Sequence, residues 1–374
     1  MHNTIKEENQ VSPSFLFFLV HSTQIGVGIL GFQRYIIKGA GYEAWISIFL
    51  AAISICILLA MVFNILTREN SDIIDIHRLY FGKYLGGALT LAASIYYFIF
   101  ALTIYRTYVE ILQIWMFPQL ETWVVSLVYL PIIYYTVSGG FRVITGIAFF
   151  GVVLPLPLVF ALLYPLKYGH LNNLFPLFDH TIWEFLNSTK MMTFENLGFE
   201  SVLFFYPFIK NGATSQKWGQ LGVLFSTFLY FCTALVSFAY FSQGQLAHTI
   251  WPTLTMAKII EIPFLQRFEY ILIALWLLVV LPTIAVSVWC TIRGFSKTFN
   301  KPPTIFLILV LIALLGFSIF FDDRETIDQL NTRLSMTGFY FIYGYIPFLF
   351  LYSLIRAKIK QKKAQKEERE PTLS

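Results

Sequence analysis

Residues 20–34 read VHSTQIGVGILGFQR and interrupt the first apolar segment of the chain. Thr23 and Gln24, with the glycines Gly26 and Gly28, stand where a plain membrane anchor carries large apolar residues. Glycine lowers helix stability by about 1 kcal/mol relative to alanine, so two in close succession weaken the helix. Backbone groups freed at membrane depth must face a cavity or other protein. The stretch therefore predicts a broken transmembrane helix that lines a site, with close helix packing on small residues as the alternative.

The composition places the chain among the polytopic membrane proteins. Of its 374 residues, 57% are hydrophobic and 13% are charged, and a soluble protein of this length has no core large enough for that much apolar surface. Cys56, Cys232 and Cys290 all fall inside apolar segments, so we expect reduced thiols and no disulfide. No small-residue cleavage site follows the first apolar segment, which predicts a retained span and not a signal peptide.

The apolar segments predict an all-α polytopic membrane protein. A spanning helix needs about 20 apolar residues, and backbone in lipid must satisfy its own hydrogen bonds, which favours helices. Ten spans are predicted, at 12–37, 42–66, 86–116, 123–138, 144–166, 191–211, 219–243, 268–292, 304–321 and 337–355. We expect a single transmembrane domain over residues 1–355, followed by a basic cytoplasmic tail over residues 356–374.

Basic residues near the span ends predict the orientation, because cytoplasmic loops carry an excess of Lys and Arg. The bias over the loops is slight, and the basic tail Arg356–Lys366 and the acidic segment FDDRETIDQ at 321–329 decide it. With ten spans, both termini are then expected in the cytoplasm. The tail is interpreted as an anchor of this orientation, with binding of anionic lipid or of a partner domain as the alternative.

A second break is predicted in the sixth span. Residues 194–208 read FENLGFESVLFFYPF and place Gly198 and Glu200 inside an otherwise apolar helix. A carboxylate at membrane depth is costly and rarely faces lipid. Transporters with inverted repeats form their binding site where two corresponding helices are broken. Ten spans with breaks in the first and sixth therefore predict a five-plus-five inverted repeat, with an interfacial Glu200 near a misplaced span end as the alternative.

The third span carries charged and aromatic residues at helical spacing. Arg106 and Glu110 are four residues apart and share a helix face, which predicts a mutual charge pair or a proton relay. Tyr97, Ala101 and Tyr105 form another stripe. That stripe is interpreted either as aromatic core or as one wall of a ligand site.

Two hydroxyls complete the predicted ligand site. Thr283 and Ser287 lie one turn apart after Pro282 in the eighth span, where they either bond their own helix backbone or face the first break. The predicted ligand-binding residues are Thr23, Gln24, Ile25, Gly26, Val27, Gly28, Tyr97, Ala101, Tyr105, Leu197, Gly198, Phe199, Glu200, Thr283 and Ser287. We find no phosphate-binding loop, dinucleotide fingerprint or close Cys/His cluster, and expect no cofactor, no metal and no enzymatic activity.

Several motifs together resemble a known family. STQIGVGILGFQR, LGFE, IWPT followed by RFEYIL, and the acidic pair before Arg324 resemble the B-subunit family of bacterial spore germinant receptors. That family belongs to the amino acid–polyamine–organocation superfamily of transporters, so the resemblance implies a LeuT-like fold. It implies that residues 26–28 and 198–200 are the unwound segments that hold an amino-acid ligand, and that Arg106 and Glu110 are the charged third-span positions. One departure is Gly31-Phe32-Gln33-Arg34, where many relatives have Leu-Pro-Arg.

The resemblance implies a germinant-sensing subunit in the inner membrane of a spore. It would act with A and C subunits, and the tail and the inner loops could contact the A subunit. The expected ligand is a small nutrient, an amino acid in the first place, with a sugar as the alternative. An amino-acid permease coupled to protons is the alternative, with Glu200 or Glu110 as the proton carrier. The sequence does not separate these two functions, because both use the same pocket. No His/Asp set supports the third class, a membrane-embedded enzyme.

Overall fold

The computed structural model describes residues 5–175, 178–261 and 267–369, and within them the chain is all-α, with one isolated β-bridge between Val11 and Ile209. The predicted tail continues the last helix, and its final residues 370–374 lie outside the described part. The helices are α1 Phe15–Gln24, α2 Gln33–Ala40, α3 Ala44–Glu69, α4 Ile73–Trp115, α5 Thr122–Ser138, α6 Phe141–Val153, α7 Leu156–Ala161, α8 Ile182–Glu195, α9 Val202–Phe205, α10 Gln216–Tyr240, α11 Gln243–His248, α12 Pro252–Ala257, α13 Phe268–Phe299, α14 Pro303–Phe320, α15 Arg324–Tyr340 and α16 Ile346–Arg369.

The membrane-spanning character of the chain is confirmed. Seven helical segments in the described residues are long and apolar enough to cross a bilayer. Three shorter apolar helices, Phe15–Gln24, Thr122–Ser138 and Phe199–Phe208, fall within the first, fourth and sixth predicted spans. Two helices begin well before the predicted spans. The third span continues back to Ile73 through a kink at Gly82 (φ 78°), and the tenth begins at Arg324 and passes through a π-helical turn at Phe341–Tyr345.

The packing of the helices follows the predicted repeat. The first repeat comprises α1 to α7, and the second comprises α8 to α10 and α13 to α16. The opening element of each repeat packs on the second span of the other, since α1 contacts α10 and α8 contacts α3. The third spans, α4 and α13, contact each other, as do the fourth spans, α5 and α14. This reciprocal pairing is the arrangement expected of a five-plus-five inverted repeat.

A buried ion cluster joins the repeats on one side of the bundle, which we call the Asp72 face; the opposite side is the Asp328 face. Asp72 caps α4 by accepting the amide of Asp75 at 3.1 Å, and its fully buried carboxylate pairs with Arg293 and with Lys297 at 2.9 Å. Burial acts to raise the pKa of Asp72, but the charges of Arg293 and Lys297 outweigh it and hold that pKa below its usual value. Asp72 therefore fastens α4 to the end of α13.

Replacing Asp72 with Asn is expected to destabilise the protein by about 2–4 kcal/mol, near the ~3–5 kcal/mol seen when a buried pair is broken. Asn keeps the capping oxygen, so the loss reports the missing charge beside Arg293 and Lys297. Thermal unfolding in detergent measures it. Because the folded pKa is depressed, the charge contributes above the unfolded value of about 3.9 and is lost as the pH falls through the folded pKa. The difference between parent and variant should accordingly shrink in acid.

Asp75→Asn is the matched control for this cluster. The Asp75 side chain is 46% exposed, pairs with Lys297 at 2.9 Å and accepts the Ser71 hydroxyl at 3.5 Å. We therefore expect a loss below about 1 kcal/mol. Equal losses in the two variants would contradict the role given to Asp72.

Candidate functional site

The first break has the geometry that its glycines predict. α1 ends at Gln24, one 3₁₀ turn covers Gly28–Leu30, and α2 begins at Gln33. Within the described part of the chain, the amides of residues 26–28 donate to no backbone carbonyl. The Gly26 carbonyl accepts the indole N–H of Trp276 at 3.1 Å. The break therefore leaves a short run of N–H groups free at the middle of the bundle, which suits a polar or anionic group.

The second break lies directly against the first. α8 ends at Glu195, and Gly198 adopts φ +114° before the next turn begins. A Cβ on Gly198 would lie 2.5 Å from the Thr23 carbonyl oxygen, so only glycine allows this approach of the two chains. The Gln24 amide group donates to the Asn196 carbonyl at 3.2 Å. The predicted pair of broken helices, side by side, is confirmed.

Tyr230 of α10 holds the two breaks together. Its hydroxyl lies 3.0 Å from the carbonyl oxygen of Gln24 and 3.1 Å from that of Glu195. Gln24 is the last residue of α1, and Glu195 is the last residue of α8. A buried hydroxyl shared between two helix ends satisfies carbonyls that would otherwise lack a donor in this apolar interior. Tyr230 was not singled out from the sequence, because nothing local to its position marks it.

A cavity of about 450 Å³ opens at the crossing of the breaks. It extends from the buried residues of the first break to the exposed side chains of Lys38 and Lys190 on the Asp328 face. A separate cavity of about 480 Å³ on the Asp72 face shares no lining residue with it. Six of the predicted ligand residues line the first cavity, namely Thr23, Gln24, Gly26, Val27, Gly28 and Leu197.

The other predicted ligand residues lie outside this cavity. The tyrosine stripe of α4 faces away from it, since the Tyr105 hydroxyl bonds Ser126 at 2.6 Å and the ring of Tyr97 packs on Phe204. The face of α4 that lines the cavity carries Phe100, Thr103, Ile104 and Thr107 instead. The residues placed elsewhere are Ile25, Tyr97, Ala101, Tyr105, Gly198, Phe199, Glu200, Thr283 and Ser287.

Of the two hydroxyls of α13, Ser287 bonds its own helix backbone, and Thr283 bonds the backbone of α1 beside the first break. Thr283 donates to the Ser22 carbonyl at 2.6 Å, and Ser287 donates to the Thr283 carbonyl at 2.8 Å. The first of these bonds satisfies a carbonyl near the end of α1 and ties α13 to the first break.

Glu200 is fully buried behind the second break. Its carboxylate accepts the Tyr96 hydroxyl at 2.7 Å and the Gly198 amide at 2.8 Å. Both bonds stabilise the unusual backbone at Gly198. Direct contact of Glu200 with a ligand stays a prediction, and Glu200→Gln, which changes charge at nearly constant volume, remains the substitution that tests it.

The predicted Arg106–Glu110 pair is wrong. Arg106 donates to the carbonyls of Phe321 and Asp322, the latter at 2.8 Å, while Glu110 pairs with Arg324 at 2.8 Å. Both third-span charges thus hold the segment that opens α15, more than 200 residues away in the chain. Helical spacing identified the shared face but not these partners.

Further ion pairs lie at the mouth of the cavity. Asp328 of α15 lies 3.9 Å from Arg34 of α2 and 3.7 Å from Arg324, and Arg324 in turn reaches Glu110 of α4. The chain of charges therefore joins three helices around the opening. From the sequence, Arg34 was noted only as the end of the Gly31-Phe32-Gln33-Arg34 segment.

Solved structures share this fold. A Na⁺-coupled sialic acid symporter in a substrate-bound outward-open state superposes with a TM-score of 0.66 at 14% identity, covering 94% of this chain and 80% of that one. MhsT in complex with L-phenylalanine gives a TM-score of 0.61 at 14% identity, covering 92% and 88%. The predicted LeuT-like transporter fold is thereby confirmed.

Relatives by sequence cover nearly the whole chain. Spore germination protein GerQB of Bacillus cereus is 39% identical over 95% of this chain and 98% of its own length. Spore germination protein A2 of Bacillus subtilis (strain 168) is 22% identical over 92% of this chain and 95% of its own. The family model described as "Spore germination protein" matches residues 10–327. The chain therefore belongs to the spore germination protein family, as its motifs had indicated.

Proposed function

We propose that this protein is the nutrient-sensing B subunit of a spore germinant receptor. It binds a small nutrient, an amino acid, in the cavity between the two broken helices, and lies in the spore inner membrane. The observation that carries the proposal is the 39% identity with a spore germination protein over 95% of the chain. The cavity supports a ligand because free backbone amides, a carboxylate and aromatic walls meet there at membrane depth.

The same proposal orients the chain and names its partners. The Asp72 face, with the basic end of α16, is cytoplasmic by the distribution of Lys and Arg, and both termini lie there. A and C subunits are the proposed partners, with the basic residues from Arg356 onward as a contact for the A subunit. The cavity at the Asp328 face then opens away from the cytoplasm, toward arriving nutrients.

Spores that lack this chain should fail to germinate with at least one amino acid, and expression of the chain should restore that response. Gly28→Leu should not restore it, because a Cβ at Gly28 would lie 1.8 Å from the Glu195 carboxylate and the longer side chain would fill the cavity. Germination of spores with matched membrane levels of the protein is the measurement.

Gly146→Leu is the control for insertion. A Cβ at Gly146 meets no atom within 4 Å, so this variant should restore the response fully. Normal germination of spores lacking the chain with every amino acid and sugar offered would refute the sensing role. A fully responsive Gly28→Leu variant would refute the site.

The alternative function is a proton-coupled amino-acid permease. Two cavities on opposite faces, separated by the crossed breaks, are the feature that favours it, since alternating access exposes one site to each side in turn. Uptake of labelled amino acids into proteoliposomes distinguishes the two functions. Concentrative uptake by this chain alone supports the permease, and binding without uptake supports the sensor.

A further inference from the structure

The cavity contains a carboxylate with no partner in the described residues. Glu195, the last residue of α8, lines the cavity beside the second break. Its backbone carbonyl accepts the Tyr230 hydroxyl, but its side chain forms no hydrogen bond or ion pair with any described residue. A carboxylate at membrane depth is expensive unless it is paired or faces a polar cavity.

Each fully buried carboxylate of the described chain has at least one protein partner. Glu200 bonds Tyr96 and the Gly198 amide. Three others form ion pairs. Asp72 pairs with Arg293 and Lys297, Glu110 pairs with Arg324, and Glu269 pairs with Arg267. Glu43 accepts the Asp179 amide at 2.8 Å. Glu195 is half-buried and faces the cavity, yet it differs from the fully buried carboxylates in having no partner among the described residues. A cation that enters the cavity would supply that partner.

The Glu195 carboxylate lies on the first break. Its Oε2 atom is 1.8 Å from the place that a Cβ on Gly28 would take, and the Tyr230 hydroxyl is 3.6 Å from the same place. The absence of a side chain at Gly28 thus makes room for this carboxylate. The Glu195 carboxylate therefore faces the part of the cavity in which a ligand held by the two breaks would present a polar group.

No Lys, Arg or His side chain of the described residues lies within 4.0 Å of the Glu195 carboxylate. Arg324 pairs with Glu110 and Asp328. Lys190 lies five residues before Glu195 on α8, with its ammonium 5.4 Å from the Phe339 ring centre, and the exposed Lys38 lies at the mouth. Negative charge therefore lies deep in the cavity and positive charge at its opening.

We propose that Glu195 binds the ammonium group of the ligand. This assignment rests on the proposed function and narrows it to ligands that carry a primary ammonium. A positive donor neutralises the half-buried Glu195 charge and makes charge-assisted hydrogen bonds, which a sugar hydroxyl cannot match. A ligand carboxylate is then directed toward the basic mouth, where Lys38 and Lys190 lie.

Binding of matched probes to purified full-length protein tests the assignment. The probes are L-alanine, L-leucine and L-phenylalanine. Each amino acid is compared with two analogues of the same side chain, an amine that lacks the carboxylate and a carboxylic acid that lacks the ammonium group. We expect the parent to bind at least one amino acid and its amine but not the corresponding acid. Glu195→Gln should weaken both by about 10- to 100-fold, the range of one charge-assisted hydrogen bond. Glu195→Asp should retain part of the affinity.

Glu269→Gln is the control. Glu269 is a buried carboxylate that pairs with Arg267 at 2.8 Å and does not line the cavity, so this variant should bind the probes like the parent. A parent that binds no amine or amino acid, or a Glu195→Gln variant with unchanged affinity, would overturn the ammonium site. The sensing role is tested separately, since normal germination of spores that lack the chain would refute it and would leave the binding result unaffected.

Discussion

Gly198→Ala is expected to prevent the two breaks from meeting, and to give the largest loss of folded protein among single-methyl substitutions in the chain. The left-handed backbone at Gly198 (φ +114°) alone costs an alanine about 1–3 kcal/mol. The added Cβ would also lie 2.5 Å from the Thr23 carbonyl oxygen and 2.9 Å from the Thr23 Cβ. These atoms belong to the opposing break, so the helices must separate before the methyl group fits.

The consequence extends to the neighbouring hydrogen bonds. Glu200 accepts the Gly198 amide at 2.8 Å, and Gln24 donates to the Asn196 carbonyl at 3.2 Å. Both bonds depend on the close approach that glycine allows. We therefore expect Gly198→Ala to lower the melting temperature in detergent and to abolish the nutrient response together.

Gly26→Ala is the matched control for stability. Gly26 lies in the other break, yet its added Cβ would meet only Ile104 Cδ1, at an ordinary 3.6 Å. This variant should therefore reach the protein level and the melting temperature of the parent, whatever its effect on ligand binding. A Gly198→Ala protein with the melting temperature of the parent would show that the crossing of the breaks does not depend on this residue.

The broken helices could be predicted because their causes are local. Glycines and polar side chains inside an apolar segment weaken a helix wherever it packs, so Gly26, Gly28 and Gly198 were identifiable from the sequence. The count of spans then predicted that the breaks would meet. The start of α15 at Arg324 was missed because its first turns are polar, and hydropathy does not detect a helix that extends beyond the membrane.

The lining of the cavity was harder to predict, because it depends on how each helix is rotated. Tyr97 and Tyr105 lie on one face of α4 and Phe100 and Ile104 on another, and only the neighbouring helices determine which face meets the cavity. The same reason separates Glu195 from Glu200. The two flank Gly198 in sequence, but the positive φ at Gly198 interrupts the helix between them, leaving Glu195 in the cavity and Glu200 behind it.

Long-range ion pairs were beyond local patterns altogether. The spacing of Arg106 and Glu110 permits a bond within one helix. In the structure, the segment before α15 supplies backbone carbonyls to Arg106 and a guanidinium to Glu110. Because this tertiary contact cannot be read from the spacing of residues within one helix, the spacing alone predicts the wrong pair.

Arg324→Met is expected to destabilise the protein more than Glu110→Gln, although both break the same ion pair. The Glu110 side chain is 6% exposed and the Arg324 side chain 36% exposed. Removing Arg324 leaves a buried carboxylate without its cation, at a cost of about 3–5 kcal/mol. Removing the charge of Glu110 leaves Arg324 free to reach water and to keep Asp328, 3.7 Å away, so the loss should be smaller.

The double variants decide the partnership. Adding Glu110→Gln to Arg324→Met removes the stranded charge and should recover about 1–3 kcal/mol, the coupling typical of residues in contact. Adding Glu110→Gln to Arg106→Met should recover much less, because Arg106 bonds the carbonyls of Phe321 and Asp322 and does not pair with Glu110. Thermal or denaturant unfolding in detergent, with matched protein levels, measures both cycles. If Glu110→Gln instead recovered stability in the Arg106→Met background and not in the Arg324→Met background, Glu110 would pair with Arg106, as helical spacing predicted, and not with Arg324.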